Sequence, residues 1–402
     1  MQDTDLQLDA LENAPRIGRA RKALLRRLID VVALPSSRVP PQDRSMAGDI
    51  LLEMLFTADE EHLTLCARRL ADKPEAPRRL LRFLACAPPP VARHILELND
   101  GLDGSDLCRV VASGSTEHRQ LVAKRKPVPE LVAEQLVTFG EPNVLKSLLQ
   151  NPHARLSGPG IDTLVSASRD HPELCPLLLE RGELTPAHAM AMFWWADSDT
   201  RRAILQRQAA DRLELIASCT DVFPLAAEEG WADPVTRKGL QLIERRQRNR
   251  AAIAKSPYDS LEQAIETAAR EGLTQTLAQE IGYLSGVKPV TVAKILSDTG
   301  GEGIAVLCKA TGLRTPSLRA LWQALRRPVE TADGGEDPRY GHLLYTYQTL
   351  TVAKAQTTLR YWNWSLSSAF SPRQPEAASG GHTIDGEEFS AASRTAQLVF
   401  GR

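Results

Sequence analysis

GLDGSDLCRVVASGSTEHRQLVAKRKPVPELVAEQLV, residues 101–137, holds the pattern that decides the fold. Leu102 closes a short loop and stands just before Asp103, and 26 residues later Val128 closes another just before Pro129. Outward from this stretch, Leu156 before Ser157 and Leu184 before Thr185 continue the series at spacings of 28 and 28 residues. Asp, Ser and Thr cap the free N–H groups of a first helical turn, and proline fits there because its missing N–H would be unpaired anyway. Loop prolines mark the same boundaries in RRLADKPEAPRRLLRFLA (68–85) and LLQNPHARLSGPGIDTLV (148–165). A period in the twenties, with one loop and one apolar-striped helix per unit, marks a stacked helical array, since such a unit cannot bury its apolar face alone. The expected fold is all-α, a HEAT-like helical repeat array (α-solenoid), with Leu102, Val128, Leu156 and Leu184 at equivalent buried positions.

Composition agrees with that expectation. A chain of 402 residues is long for one compact core, so two or three substructures or one extended array are expected. Apolar residues at 43% and charged residues at 25% are ordinary for a globular chain, and the 5% aromatic content suits helices built from Leu, Ala and Val. A net charge of −1 gives no global attraction to nucleic acid or anionic membrane. Asp3, Asp5 and Asp9 crowd the N-terminus, which does not read as a signal peptide. No apolar run is long enough to span a membrane, so a cytoplasmic protein is expected. The six cysteines are scattered, without a C-x-x-C pair, and are expected to be buried thiols.

The chain divides into four stretches. Residues 1–44 hold a basic amphipathic helix (16–34) and a Pro-rich linker at Pro35, Pro40 and Pro41. Residues 45–328 form the helical repeat domain, with a charged helix over 237–255. Within it, 274–328 carries a duplicated helix-turn-helix hairpin. LSGVKPVTVAKIL (284–296) aligns with ATGLRTPSLRALW (310–322) at an offset of 26, Gly286 on Gly312 and Val287 on Leu313. Each glycine can take the left-handed conformation that ends a helix before a tight turn. Residues 329–370 comprise a linker and an aromatic C-terminal helix (340–370), and 371–402 reads as a disordered tail.

Three segments carry a family resemblance: DLCRVVASGSTEHRQLVAKRKPVPELVAEQLV (106–137) with NPHARLS (151–157), LLERGELTPAHAMAMFWWADSDTRRAIL (178–205), and LSDTGGEGIAVLCKATGL (296–313). With them, the chain from about Ser45 to Pro328 resembles alphaproteobacterial HEAT-like helical proteins, related in style to leucine-rich-repeat variants and catalogued as a domain of unknown function. The resemblance implies an α-helical repeat domain and carries no catalytic or ligand residues.

No catalytic, cofactor-binding or metal-binding residue is expected from the sequence. The minimal motifs of serine hydrolases, zinc proteases, dinucleotide folds and P-loops are missing. Gly300-Gly301-Glu302-Gly303 reads as a turn between helices, His94 and Glu97 as a surface pair, and Asp385–Phe389 as a chance match in the tail. Trp194 and Trp195, placed on the helix after Thr185, are candidate partner anchors of which at most one can sit deep, because consecutive helical positions point about 100° apart. Along 340–370, a first stripe (Tyr340, Leu343, Leu344, Tyr347, Leu350) is expected to cap the array. A second stripe around Tyr361, Trp362 and Trp364 is expected to project and recruit a partner. The function expected is a non-catalytic cytoplasmic scaffold or protein–protein interaction module with an unidentified protein partner. The alternative is a DNA-associated transcriptional regulator using the 281–322 hairpins. It is the weaker reading, because the second helix of the first hairpin carries few cations.

Overall fold

The structure, a computed structural model, describes residues 18, 20–35, 37–207 and 256–368, the last five as backbone only. The 237–255 helix, the 371–402 tail and Cys219 lie outside the described residues. Among the described residues every regular element is helical, and the sole β-type pairings are isolated bridges at Val128–Ala154 and Glu330–Glu336. The chain forms two compact units, one ending at Leu164 and the other beginning at Val165.

In the first unit, residues 20–33 (α1) are followed by α2 (Pro41–Leu55), α3 (Glu60–Leu70), α4 (Arg78–Ala85) and α5 (Pro89–Leu98). Then come α6 (Gly104–Ser113), α7 (Thr116–Ala123), α8 (Glu130–Phe139), α9 (Pro142–Leu149) and α10 (Gly158–Ala167), inside which the boundary falls. Each starts where its capping residue dictates. Asp103 accepts the Asp106 N–H and forms a capping box, Pro129 precedes α8, and the Ser157 hydroxyl accepts the Gly160 N–H at 3.1 Å. Helices two apart pack together, α3 on α5, α5 on α7, α7 on α9, α2 on α4 and α6 on α8, and neighbours pack as well, α4 on α5 most extensively. Leu102 and Leu156 are buried, and Val128 is fully enclosed. The basic helix α1 docks through Leu25, Ile29 and Val32, while Arg21 and Lys22 reach Thr57 and Asp59.

Three buried side chains spaced 26 residues apart close the joints of this unit. Asn99 donates from Nδ2 to Leu70 O (2.7 Å) and Lys73 O (3.1 Å) and accepts the Gly101 N–H. Arg125 donates to the carbonyls of Ile95, Leu96 and Asn99. Asn151 repeats the first pattern, donating to Ala123 O (2.9 Å) and Arg125 O (2.6 Å) and accepting the His153 N–H. Helix C-termini leave carbonyls without intrahelical partners, and a buried one left bare costs about 1–3 kcal/mol. Each joint therefore satisfies the carbonyls of the joint before it.

In the second unit a 3₁₀ turn (Pro172–Leu174) leads into α11 (Cys175–Leu179), α12 (Pro186–Met192) and α13 (Ser198–Arg207). Beyond residue 256 come α14 (Leu261–Glu271), α15 (Gln275–Ser285), α16 (Pro289–Ser297), α17 (Glu302–Thr311), α18 (Thr315–Ala324), α19 (Pro338–Thr349) and α20 (Val352–Ser368). Leu184 is buried and Thr185 caps α12 through a capping box. Ile304 to Cys308 of α17 are buried without interruption, and α16, α18, α19 and α20 all pack on this helix.

The C-terminal aromatic segment corrects two expectations. It is two helices, not one, because Leu350 turns extended (ψ 129°) and the Thr351 hydroxyl accepts the Lys354 N–H of the next turn. The first stripe does pack, with Tyr340, Leu343 and Leu350 buried and the Tyr347 hydroxyl donating to Leu313 O at 2.7 Å. Two members of the second stripe do not project: Tyr361 is 2% exposed and Trp362 0%, because α20 lies against α16 and α17 and the Trp362 ring packs 4.7 Å from those of Phe193 and Trp194.

Candidate functional site

Two glycine turns organise the site. Helix α15 ends at Gly286 (φ 71°, ψ 24°) and α17 at Gly312 (φ 81°, ψ 13°), both in the left-handed region that costs other residues roughly 1–2 kcal/mol. Both close with the same long bond, Val287 N–H to Gly282 O and Leu313 N–H to Cys308 O, each 3.0 Å. Val287 and Leu313 turn inward and are buried, while Lys288 and Arg314 that follow are exposed. Together with the start of α14 and one face of α20, the two turns bound an open cavity of about 470 Å³.

Its polar equipment is specific. Asn363, only 9% exposed, lines the cavity, and its Oδ1 accepts the Lys288 N–H at 2.7 Å. A backbone N–H can only donate, so the oxygen must face it and Nδ2 carries the free end of the amide. Among the described residues Nδ2 has no hydrogen-bond partner. Gln356 donates to Ala310 O at 3.3 Å, and Arg360 already has an interaction of its own. On α14, Ser260 caps the helix, while the carboxylates of Asp259 and Glu262 are exposed and make no ion pair among the described residues. Leu284, Leu313 and Leu359 add apolar wall. The set can bind a ligand that offers an acceptor, a cation and an apolar group.

The tryptophans named from the sequence lie elsewhere. Helix α12 ends at Met192, so Trp194 and Trp195 sit in the turn beyond it, and the fully buried residue of that turn is Phe193. Trp194 stands 4.7 Å from the Trp362 ring and 5.4 Å edge-on from Phe193, with the Lys294 ammonium 5.4 Å from its centroid. Burial pulls the Lys294 pKa below its ordinary value. Trp195 donates from Nε1 to the Ser168 hydroxyl at 2.9 Å. The structure thus joins Trp194 to Trp362 in packing and leaves the two turn tryptophans half-buried. Tyr361 and Trp362 are withdrawn from the surface, and the Trp364 side chain lies outside the described residues.

Sequence reading missed the charged cluster of this unit. Arg201, Asp298 and Glu302 are all buried; the Arg201 guanidinium holds both Asp298 oxygens (2.8 and 2.9 Å) and Glu302 (3.1 Å). Ser198 donates to the other Glu302 oxygen at 2.7 Å, and Arg201 also reaches Ala196 O. The Gly300-Gly301 turn is the close approach that permits it. A Cβ at Gly300 would collide with Arg201 and Glu302, and one at Gly301 (φ 92°) would lie 2.5 Å from the Trp322 ring. The glycines were visible in the sequence, but a partner 97 residues away was not.

Burial pushes the thiols of Cys66 and Cys308 up to about 12, so both stay protonated. Among the described residues no group of three or more His, Cys, Asp or Glu is placed to hold a metal ion. No described helix is long and apolar enough to cross a membrane.

A family described as an uncharacterised protein conserved in bacteria (DUF2336) matches residues 91–360. The chain belongs to that family. The match runs from α5 into α20, so the family pattern includes the two C-terminal helices and both glycine turns and leaves out α1 to α4. No curated protein and no solved structure matches the chain.

Proposed function

We propose that this DUF2336 member is a non-catalytic cytoplasmic interaction module, a HEAT-like array of helical units whose duplicated hairpins present a binding cavity. The observation that carries the reading is the cavity itself, bounded by two turns of matching conformation and lined by an amide with a spare donor. The skip-one packing of α3 to α9 and the 26-residue recurrence of Asn99, Arg125 and Asn151 support the array. A DNA-reading role for the 281–322 hairpins has less behind it. On α16, Thr291, Val292, Ile295 and Leu296 are buried and Lys294 lies over Trp194, which leaves Lys288 to reach a groove.

Affinity capture with the full chain from its native cell, read by mass spectrometry, tests the reading. A stable, stoichiometric protein partner is expected. Recovery of no partner, together with a salt-sensitive shift of duplex DNA by the same protein, would replace it with the regulator.

A further inference from the structure

We infer that the cavity between the glycine turns reads an extended peptide segment carrying a basic side chain, an inference that rests on the interaction-module reading and assigns it a site and a ligand class. Three features point to this ligand. The Asn363 amide is held by the Lys288 N–H and offers its Nδ2 donors into the cavity, where a peptide carbonyl is the matching acceptor. That donor is reachable from the cavity and has no partner among the described residues, so it is free to meet a ligand acceptor. The Asp259 and Glu262 carboxylates line the cavity and make no ion pair among the described residues, and they outnumber Arg360, the single cation of the lining. Helices α15 and α17 end at the cavity and α14 begins there, so helix ends of both signs meet it and the side-chain charges decide the preference. Lys288 and Arg314 lie just outside the lining and point the preference the other way, toward a carboxylate. Water screens all four of these exposed charges alike, and what favours the carboxylates is that they line the wall the ligand must touch while the two cations do not. Leu284, Leu313 and Leu359 supply the apolar surface against which a neighbouring side chain rests. A volume of about 470 Å³ accommodates a short segment rather than a folded surface.

The test uses the full chain against immobilised pools of random nonapeptides whose central residue is fixed as lysine, arginine, alanine or glutamate. Capture on the lysine and arginine pools should exceed that on the alanine pool at least fivefold, with glutamate weakest. The double variant Asp259→Asn, Glu262→Gln should lose that preference while keeping its melting temperature, since both positions are exposed. Asn363→Ala should lower capture on every pool alike, because the main-chain contact does not depend on the central residue. If Asn363→Ala fails to fold, the double variant decides alone. Equal capture on all pools, a lead for glutamate, no capture by any pool, or a preference that survives in the double variant would each overturn the inference. If native capture still recovers the partner with the double variant and with Asn363→Ala, this site falls while the interaction-module reading stands.

Discussion

Asn99 and Asn151 in the first unit and Asn363 in the second are similarly buried, at 1%, 6% and 9% exposure, and each oxygen accepts a backbone N–H, yet they differ in what their donors do. In the first unit both Nδ2 donor directions are spent on helix-end carbonyls of the preceding joint. In the second, the oxygen is spent on the Lys288 N–H and the donors remain for the cavity. Arg125 and Arg327 extend the parallel, since Arg327 donates to Leu296 O and Asp298 O much as Arg125 does to Leu96 O and Asn99 O. Joint closure is therefore common to both units. What separates the second is the pair of glycine turns whose outer faces are left open.

The largest effect should come from the charged cluster. Arg201→Leu leaves Asp298 and Glu302 buried without their cation, and denaturant titration should show a loss of about 3–5 kcal/mol. Next is the joint of the first unit: Arg125→Met bares the carbonyls of Ile95, Leu96 and Asn99 and should cost about 2–3 kcal/mol by the same titration. If both losses were near zero, closure by buried polar groups would not be what holds either unit.

A smaller effect tests both units through pH. Cys66 and Cys308 are raised from 9.0 to about 12 by burial, so the folded state holds its thiol protons while the unfolded chain gives them up. The contribution is whole well below pH 9 and is lost as pH climbs toward 12, by about 1.4 kcal/mol per thiol at pH 10. Cys66→Ala and Cys308→Ala should each flatten the alkaline fall measured by urea unfolding at pH 8 and pH 10. The smallest effect belongs to the cavity rim, where Asp259→Asn with Glu262→Gln should leave stability within about 0.5 kcal/mol. A larger loss would make the rim structural.

Helix boundaries were legible because capping is local: Asp103, Pro129, Ser157 and Thr185 act within three residues of themselves. The paired turns at Gly286 and Gly312 were legible for the same reason. Tyr361 and Trp362 were misread as a projecting end because an aromatic stripe looks alike whether solvent or a neighbouring helix covers it, and α16 and α17 cover it here. The recurrence of Asn99, Arg125 and Asn151 at 26 residues lay in the sequence unread, since asparagine and arginine do not share an obvious role until their carbonyl partners are seen. Arg201 with Asp298 and Glu302 left no sequence signal, because ion pairs across a hundred residues have no spacing rule.

Side-chain amide NMR of the full chain labelled with ¹⁵N-asparagine compares the three amides in one spectrum. The Asn99 and Asn151 NH₂ protons should exchange slowly with water and stay fixed when the lysine-centred peptide pool is added. Those of Asn363 should exchange rapidly in the free protein, then shift and become protected with the pool. Slow exchange of the Asn363 amide in the free protein, or no response to the pool, would contradict the account.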